Sequence, residues 1–468
     1  MKFTKFGKAL LLSALSAGVI LSVTSCVQSY SVGYLYVTGT QTAQSTGSGI
    51  ITGFKIDHNT GKLTSINGLP VSSGGTNPVR AVLLSGSRFL YVLNRGVNAS
   101  GGTDCTSLNP CLNANITQFA IGANGILTPQ ETFYTQGVNP FRMIADSSGS
   151  FIYVLEHDSP TAASTSSVPV AATNNPNCAA ALTGATTCGD ITAFTVNATT
   201  GRLTLLQNTQ VTAAGGSGSP LAYFPVPSNP VDFVLSSGIV LTMSSAGTTV
   251  DSTTGAYTGG STIFPYTYNA SNGQLTVNQN SAQPLNILQG TALVSGSSYV
   301  FVLDNEAPNP NSTGASSQIL TFTLGSGGAL LSVTNGIIPD DPNQSNPTWL
   351  AVESKGKWFY VANQGNNATG TGTAESGLAG YVLNSPYQPT EMSGSPIGFG
   401  AGAGPQCLVE DPSSQFIYTA NFFASTVTGQ AIDQNAGTLT PLSQVSKVPA
   451  SYALTGQPTW CLVDGRTN

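Results

Sequence analysis

Four stretches of the chain repeat one another closely enough to be laid in register: NPVRAVLLSGSRFLYVLN from Asn77, NPFRMIADSSGSFIYVLE from Asn139, NPTWLAVESKGKWFYVAN from Asn346 and GPQCLVEDPSSQFIYTAN from Gly404. Weaker copies start at Asn229 and near Leu285. Each is an apolar run, a Ser/Gly turn and an apolar-aromatic run, which is the pattern of two antiparallel strands. A second pair follows in ITGFKIDHNTGKLTSI, ITQFAIGANGILTPQ, ITAFTVNATTGRLTLL and IFPYTYNASNGQLTV, where alternating runs meet at a glycine turn. One unit therefore supplies four short strands, A to D. A regular repeat of this size excludes most folds, because stacked or ringed units must bury their faces on one another.

The two chain ends complete the count. Tyr34 to Val37 reads as a B strand with no A strand before it, and Gln457 to Asp464 reads as an A strand with nothing after it. Joined, they make a seventh unit and leave no sheet edge open. The expected fold is all-β, a seven-bladed β-propeller of four-stranded antiparallel blades over residues 34–468, closed by its C-terminal strand. Composition agrees: only 7% of residues are charged, against about 25% in an average soluble domain, and the chain holds 53 Gly and 27 Pro without a Gly-X-Y period.

Ahead of the repeats, Lys2, Lys5 and Lys8 precede an apolar run from Ala9 to Val23 that ends Val-Thr-Ser-Cys at Cys26. A basic start, a short apolar stretch and small residues before a cut define a secretory signal. The cysteine directly after Thr24-Ser25 resembles a bacterial lipobox, which implies a lipoprotein signal peptide over 1–25, lipidation at Cys26 and a linker over 26–33. No later run reaches the roughly 20 apolar residues of a membrane span. The expected address is extracytoplasmic, facing the periplasm or at the outer membrane or cell surface, with membrane contact through the lipid alone. Without the three leader lysines the chain is more acidic still, so no surface suits nucleic acid. The protein is expected to be a monomer.

Six cysteines remain: Cys105, Cys111, Cys178, Cys188, Cys407 and Cys461. Outside the cytoplasm an even set predicts disulfides. The pairs Cys105/Cys111 and Cys178/Cys188 are sequence neighbours. Cys407 aligns with Arg80 and Cys461 with Ala81, one place along the inner strand, so the two thiols point to opposite faces of adjacent blades and can meet across the closure. No zinc spacing is present and no metal or cofactor is expected.

In an antiparallel meander the A-to-B and C-to-D turns share one face, and they are short throughout. The other face takes the insertions, such as 95–114, 159–190 and 364–376. Long loops on a rigid scaffold commonly carry binding. Repeat alignment gives a ring at the channel mouth: Trp460, Arg80, Arg142, Asp232, Gly290, Trp349 and Cys407. The next ring is Cys461, Ala81, Met143, Phe233, Thr291, Leu350 and Leu408. Two of the six arginines thus fall at equivalent places in adjacent blades. Arg80 and Arg142 can receive a carboxylate or polarise a carbonyl, with Asp232, Trp349 and Trp460 as further ligand contacts. Pairing of the arginines with an inter-blade acid such as Asp232 or Glu156 is the structural alternative. For acid or base work the candidates are Glu156 and His157, after strand B of the third blade; His58 belongs to a solvated hairpin.

The YVLN, YVAN and YTAN strand ends, with the TGKLT and TGRLT hairpins, resemble the lactonase-type propellers, a family that includes 6-phosphogluconolactonase and carboxymuconate cyclases. The resemblance spans nearly the whole mature chain. It implies hydrolysis of a lactone of sugar-acid type at the axial mouth, with a small-molecule lactone or carbohydrate as partner. The competing expectation is a non-catalytic propeller that binds a ligand, glycan or protein at the envelope.

Overall fold

In the computed structural model, residues 30–465 are described apart from 42–47, 85–87, 161–174, 179–186, 213–218, 237, 251–256, 278–281, 286, 288, 306–316, 366–375 and 400–401. Cys26 and the expected signal segment lie outside the described residues. The architecture is the expected one: seven antiparallel blades, each built on a four-strand path, with one added two-stranded sheet of Asn208–Thr212 and Pro220–Leu221 and almost no helix among the described residues. Blade 2 shows the plan, with strands Pro78–Leu83, Phe89–Asn94, Asn115–Ile121 and Leu127–Phe133 running from the axis outward. In blade 1 the innermost strand is the chain end: Gln457–Asp464 pairs with Ser31–Thr40, which pairs in turn with Ser48–Asp57. The outer strand of several blades is broken in two. In blade 1 Leu63–Ser65 and Val71–Thr76 both pair with Ser48–Asp57, separated by a turn through Gly68 and Pro70. A proline is tolerated there because an outer strand has a free edge.

The repeat motifs prove to be partners across blade boundaries. The tyrosine of each Tyr-Val strand sends its hydroxyl to the carbonyl of the glycine in the next blade's hairpin: Tyr36 to Gly125 (2.8 Å), Tyr153 to Gly273 (2.9 Å), Tyr360 to Gly437 (2.7 Å), Tyr418 to Gly61 (2.7 Å), and Tyr91 to Gly201. Those glycines have φ between +67° and +78°, a conformation costly for a side chain. Blades 4 and 5 place Leu241 and Phe301 at the tyrosine position, and both are buried in apolar clusters. The core is accordingly a set of sandwiches between neighbouring blades rather than one central mass.

Each inner strand opens with a bulge. Pro78 lies opposite Asn94 while Arg80 lies opposite Leu93, leaving Val79 as the extra residue, and the same shift recurs in the other six blades. The residue before the proline is left-handed, with Asn77, Asn139, Asn229 and Asn346 at φ 52° to 58°; asparagine accepts that conformation better than most residues. Bulged threonines bind the next blade: Thr291 donates to the Pro347 carbonyl and Thr348 to that of Pro405, both at 3.0 Å, and Thr459 to that of Pro78. This register corrects one alignment. Gly290 lies opposite Asp304, at the proline place, so the ring position of blade 5 belongs to Ala292 and Thr291 is the bulged residue. Blade 5 lacks the proline that the other six inner strands carry at this place.

The disulfides are Cys105–Cys111, Cys178–Cys188 and Cys407–Cys461, the last joining the inner strands of blades 7 and 1 at a Cα separation of 6.0 Å. Three such bonds suggest an oxidising environment. Among the described residues no helix is long and apolar enough to cross a membrane.

Candidate functional site

The bulges set the geometry of the axial channel. Val79, Thr348, Gln406 and Thr459, all bulged residues, line a vestibule of about 290 Å³ on the long-loop side together with Phe422. Below it a chamber of about 580 Å³ runs toward the short-turn side. Arg80 and Arg142 line both cavities, so the arginine layer is the partition between them.

Arg80 is buried, at 6% exposure. Its guanidinium carbon lies 3.5 Å from the centroid of the Trp460 ring and 4.7 Å from that of Trp349, and the two indoles meet edge to face at 4.7 Å. Among the described residues Arg80 forms no ion pair. Burial, and then the charge of Arg142, hold its guanidinium well below the ordinary arginine value, with Asp232 acting weakly the other way. Arg142 differs: its Nε donates to Asp232 Oδ1 at 3.2 Å. Asp232 also accepts the amides of Phe233 at 3.0 Å and of Leu293, in blade 5, at 2.9 Å. The anticipated inter-blade pairing thus occupies Arg142 and leaves Arg80 without a carboxylate.

The structure brings together Arg80, Arg142, Asp232, Trp349 and Trp460. Cys407 is at the same level but is spent in its disulfide. Glu156 and His157 are placed elsewhere. Glu156 takes the strand-end position held by Asn94, Asn363 and Asn421 in other blades and is fully buried. Its Oε2 accepts from the Gly137 amide at 2.8 Å and the Thr192 hydroxyl at 2.6 Å. Across the strand pair stands Asp190, also fully buried. Burial raises both carboxyls, and the Glu156 charge pushes Asp190 further. Neither lines the vestibule or the chamber. His157 is half-buried, its Nδ1 3.1 Å from Asp158 Oδ2, with its ring 6.5 Å from that of Phe141. The expected base at the mouth is therefore not among the residues that line it. His58 stacks on Tyr30 at the blade 1 hairpin.

Arg95 escaped sequence reasoning. It begins the long loop of blade 2, with its Nη2 3.5 Å from the Cys105 carbonyl. Burial and then the Arg142 charge lower its pKa, while Asp104 and Asp158 oppose them. Arg142 thus lies close enough to act on both Arg80 and Arg95. The bulged vestibule residues were also missed, although their place directly after the proline is visible in the repeat. No group of three or more His, Cys, Asp or Glu among the described residues is arranged to hold a metal.

A model of the family described as lactonase, 7-bladed beta-propeller, matches residues 47–169 and 309–458, which is more than half of the chain. The protein belongs to that family. The unmatched centre holds the outer half of blade 3, blade 4 and the inner half of blade 5, and in the last two the inter-blade tyrosine is replaced by Leu241 and Phe301. Solved structures of the same shape include a Pseudomonas aeruginosa periplasmic gluconolactonase, at TM-score 0.59 and 14% identity over 92% of this chain and 98% of that one. A Bacteroides uniformis protein provisionally called a 6-phosphogluconolactonase matches at TM-score 0.59 and 14% identity, over 92% and 99%. At such identities the likeness is one of fold. No curated protein matches the chain by sequence.

Proposed function

We propose that this protein opens a small lactone at the arginine layer of its axial channel. The observation that carries the reading is Arg80: a buried guanidinium with no carboxylate partner among the described residues, beside Arg142, at the meeting point of two cavities. Attack of hydroxide on a lactone carbonyl turns its oxygen into an oxyanion; collapse breaks the ring C–O bond, and the proton of the attacking oxygen passes to the leaving alkoxide, which gives a carboxylate and an alcohol. A guanidinium donates to that oxyanion and then to the product carboxylate with matched two-pronged geometry. Asp232, held by Arg142 and the Leu293 amide, fixes the layer rather than activating water. The family membership supports the reaction class.

The test is hydrolysis of a panel of five- and six-membered lactones by the wild type, Arg80→Met and Arg142→Met. Loss of one oxyanion donor costs about 10²- to 10³-fold in rate, and that loss is expected for Arg80→Met. Equal rates in all three proteins would remove the site. Full engagement of Asp232 favours a second reading, capture of a carboxylate without turnover. Under it calorimetry would show gluconate or a simple alkanoate binding to the wild type and not to Arg80→Met, with no lactone consumed.

We also place the protein outside the cytoplasm, tethered through a lipidated Cys26. The three disulfides and the leader sequence support that address. Cys26→Ser is expected to move the protein from the membrane to the soluble fraction, read by fractionation and by the mass of the N-terminal peptide.

A further inference from the structure

We infer that the ligand of the arginine layer carries an unbranched apolar chain, which lies in the chamber below it; this rests on the reading of the layer as a lactone or carboxylate site. The chamber is built from two successive rings of the inner strands. One ring includes Val82, Ile144, Val234, Ala351, Val409 and Leu462, aliphatic in every member, and the next adds mostly aliphatic side chains of the same strands. These six residues are only half-buried, although they stand at the centre of the molecule, while the residue before each is buried between blades. The channel therefore presents a continuous aliphatic wall to whatever fills it. Apolar surface of this kind, left wet, marks a place where apolar matter binds.

Polarity orients the occupant. Arg80 and Arg142 form one end of the chamber, and Glu410 lies on the ring farthest from them, where it accepts the Ser354 amide at 2.8 Å. A carbonyl or carboxylate is attracted to the arginine end and repelled from the other. The vestibule on the far side of the arginines sets Thr348, Gln406 and Thr459 beside Val79 and Phe422, and so offers hydroxyl and amide groups that the aliphatic rings of the chamber do not. An amphiphile, with its lactone ring or carboxylate at the partition and its chain toward the short-turn face, matches all three regions. A fully hydroxylated sugar lactone matches the vestibule and leaves the larger chamber unfilled.

The experiment has two arms on the mature wild-type protein. The first measures kcat/KM for γ-butyrolactone, γ-hexalactone, γ-octalactone and γ-decalactone beside glucono-δ-lactone. The second measures calorimetric binding of acetate, hexanoate, octanoate and decanoate. A buried methylene contributes about fourfold, so a rise on the order of 10³-fold along the lactones and 10⁴-fold along the alkanoates is expected when the whole chain is buried. Ala351→Phe and, independently, Ala145→Phe narrow the chamber and are expected to cut the ratio of the longest to the shortest member at least about tenfold. Turnover with no dependence on chain length, or with preference for glucono-δ-lactone, overturns this inference and leaves lactone hydrolysis standing. Binding that grows with chain length in the absence of any turnover supports the inference and overturns hydrolysis. If no lactone or alkanoate is turned over or bound, both fall.

Discussion

At Arg80 a guanidinium leaves water without a carboxylate to receive it, a costly arrangement unless other groups compensate. The faces of Trp460 and Trp349 compensate in part, since a desolvated cation over an indole gains about 2 kcal/mol. Replacing the charge by an apolar side chain of similar length should therefore stabilise the fold. Arg80→Met is expected to raise the denaturation midpoint, by the equivalent of about 1–4 kcal/mol, while it removes lactone or carboxylate binding. A drop in the midpoint would show that Arg80 is structural. Trp460→Leu should do the opposite at this position and lower the midpoint, because the cation then loses its nearest ring. The members of this layer were legible because Arg80, Arg142, Asp232, Trp349 and Trp460 occupy one column of the repeat alignment. Arg95 was not, because it sits one residue beyond the repeat, in a loop with no counterpart in other blades. Glu156 misled for the converse reason: beside His157 it resembles a loop acid, yet it is the strand-end residue, equivalent to Asn94, and points into the blade.

Between elements, the tyrosine hydroxyl and hairpin glycine act as one fastener. Tyr418→Phe removes a buried hydrogen bond and leaves the Gly61 carbonyl without its donor, which should cost about 1–3 kcal/mol. Gly61→Ala attacks the same contact from the other side, since φ is +67° and a Cβ would stand 2.6 Å from the Phe416 ring. It is expected to cost more than about 1 kcal/mol; urea titration of both variants checks the pair. Both motifs were plain in the sequence, and their spacing gave the number of strands and blades. Their pairing was not, because Tyr418 and Gly61 belong to blades 7 and 1, at opposite ends of the chain. A second contact between elements responds to pH. Burial and the Glu156 charge hold the Asp190 carboxyl well above the ordinary 3.8. The folded state therefore retains a proton that the unfolded chain loses, and the stability tied to it is complete below about pH 4 and drains as pH rises through the folded value. Asp190→Asn supplies an amide where blade 2 has Asn115 bonded to Asn94. It is expected to be more stable than wild type at pH 8, with the difference shrinking toward pH 4, read from melting temperatures at each pH.

For the molecule as a whole, the decisive joint is where the chain ends meet. Strand Gln457–Asp464 completes blade 1, Thr459 reaches the Pro78 carbonyl in blade 2, and Cys461 is bonded to Cys407 in blade 7. One terminal strand thus touches three consecutive blades, and its release would open the ring. The Cys407–Cys461 bond closes a span of 54 residues, for which chain entropy gives about 4 kcal/mol; the 6-residue span of Cys105–Cys111 gives about 2 kcal/mol. The two bonds also differ in what they hold, since one locks the closure and the other shapes a loop inside a single blade. Cys407→Ala/Cys461→Ala should therefore do more than lower the melting temperature. Amide exchange of residues 457–464 and of their partners in Ser31–Thr40 is expected to accelerate together, well below the global transition, because that strand pair can now open as a unit. Cys105→Ala/Cys111→Ala should lower the melting temperature less and leave exchange at 31–40 as in the wild type. If both double variants change exchange at 31–40 equally, closure depends on the strand's hydrogen bonds and packing alone, and the disulfide is not its lock.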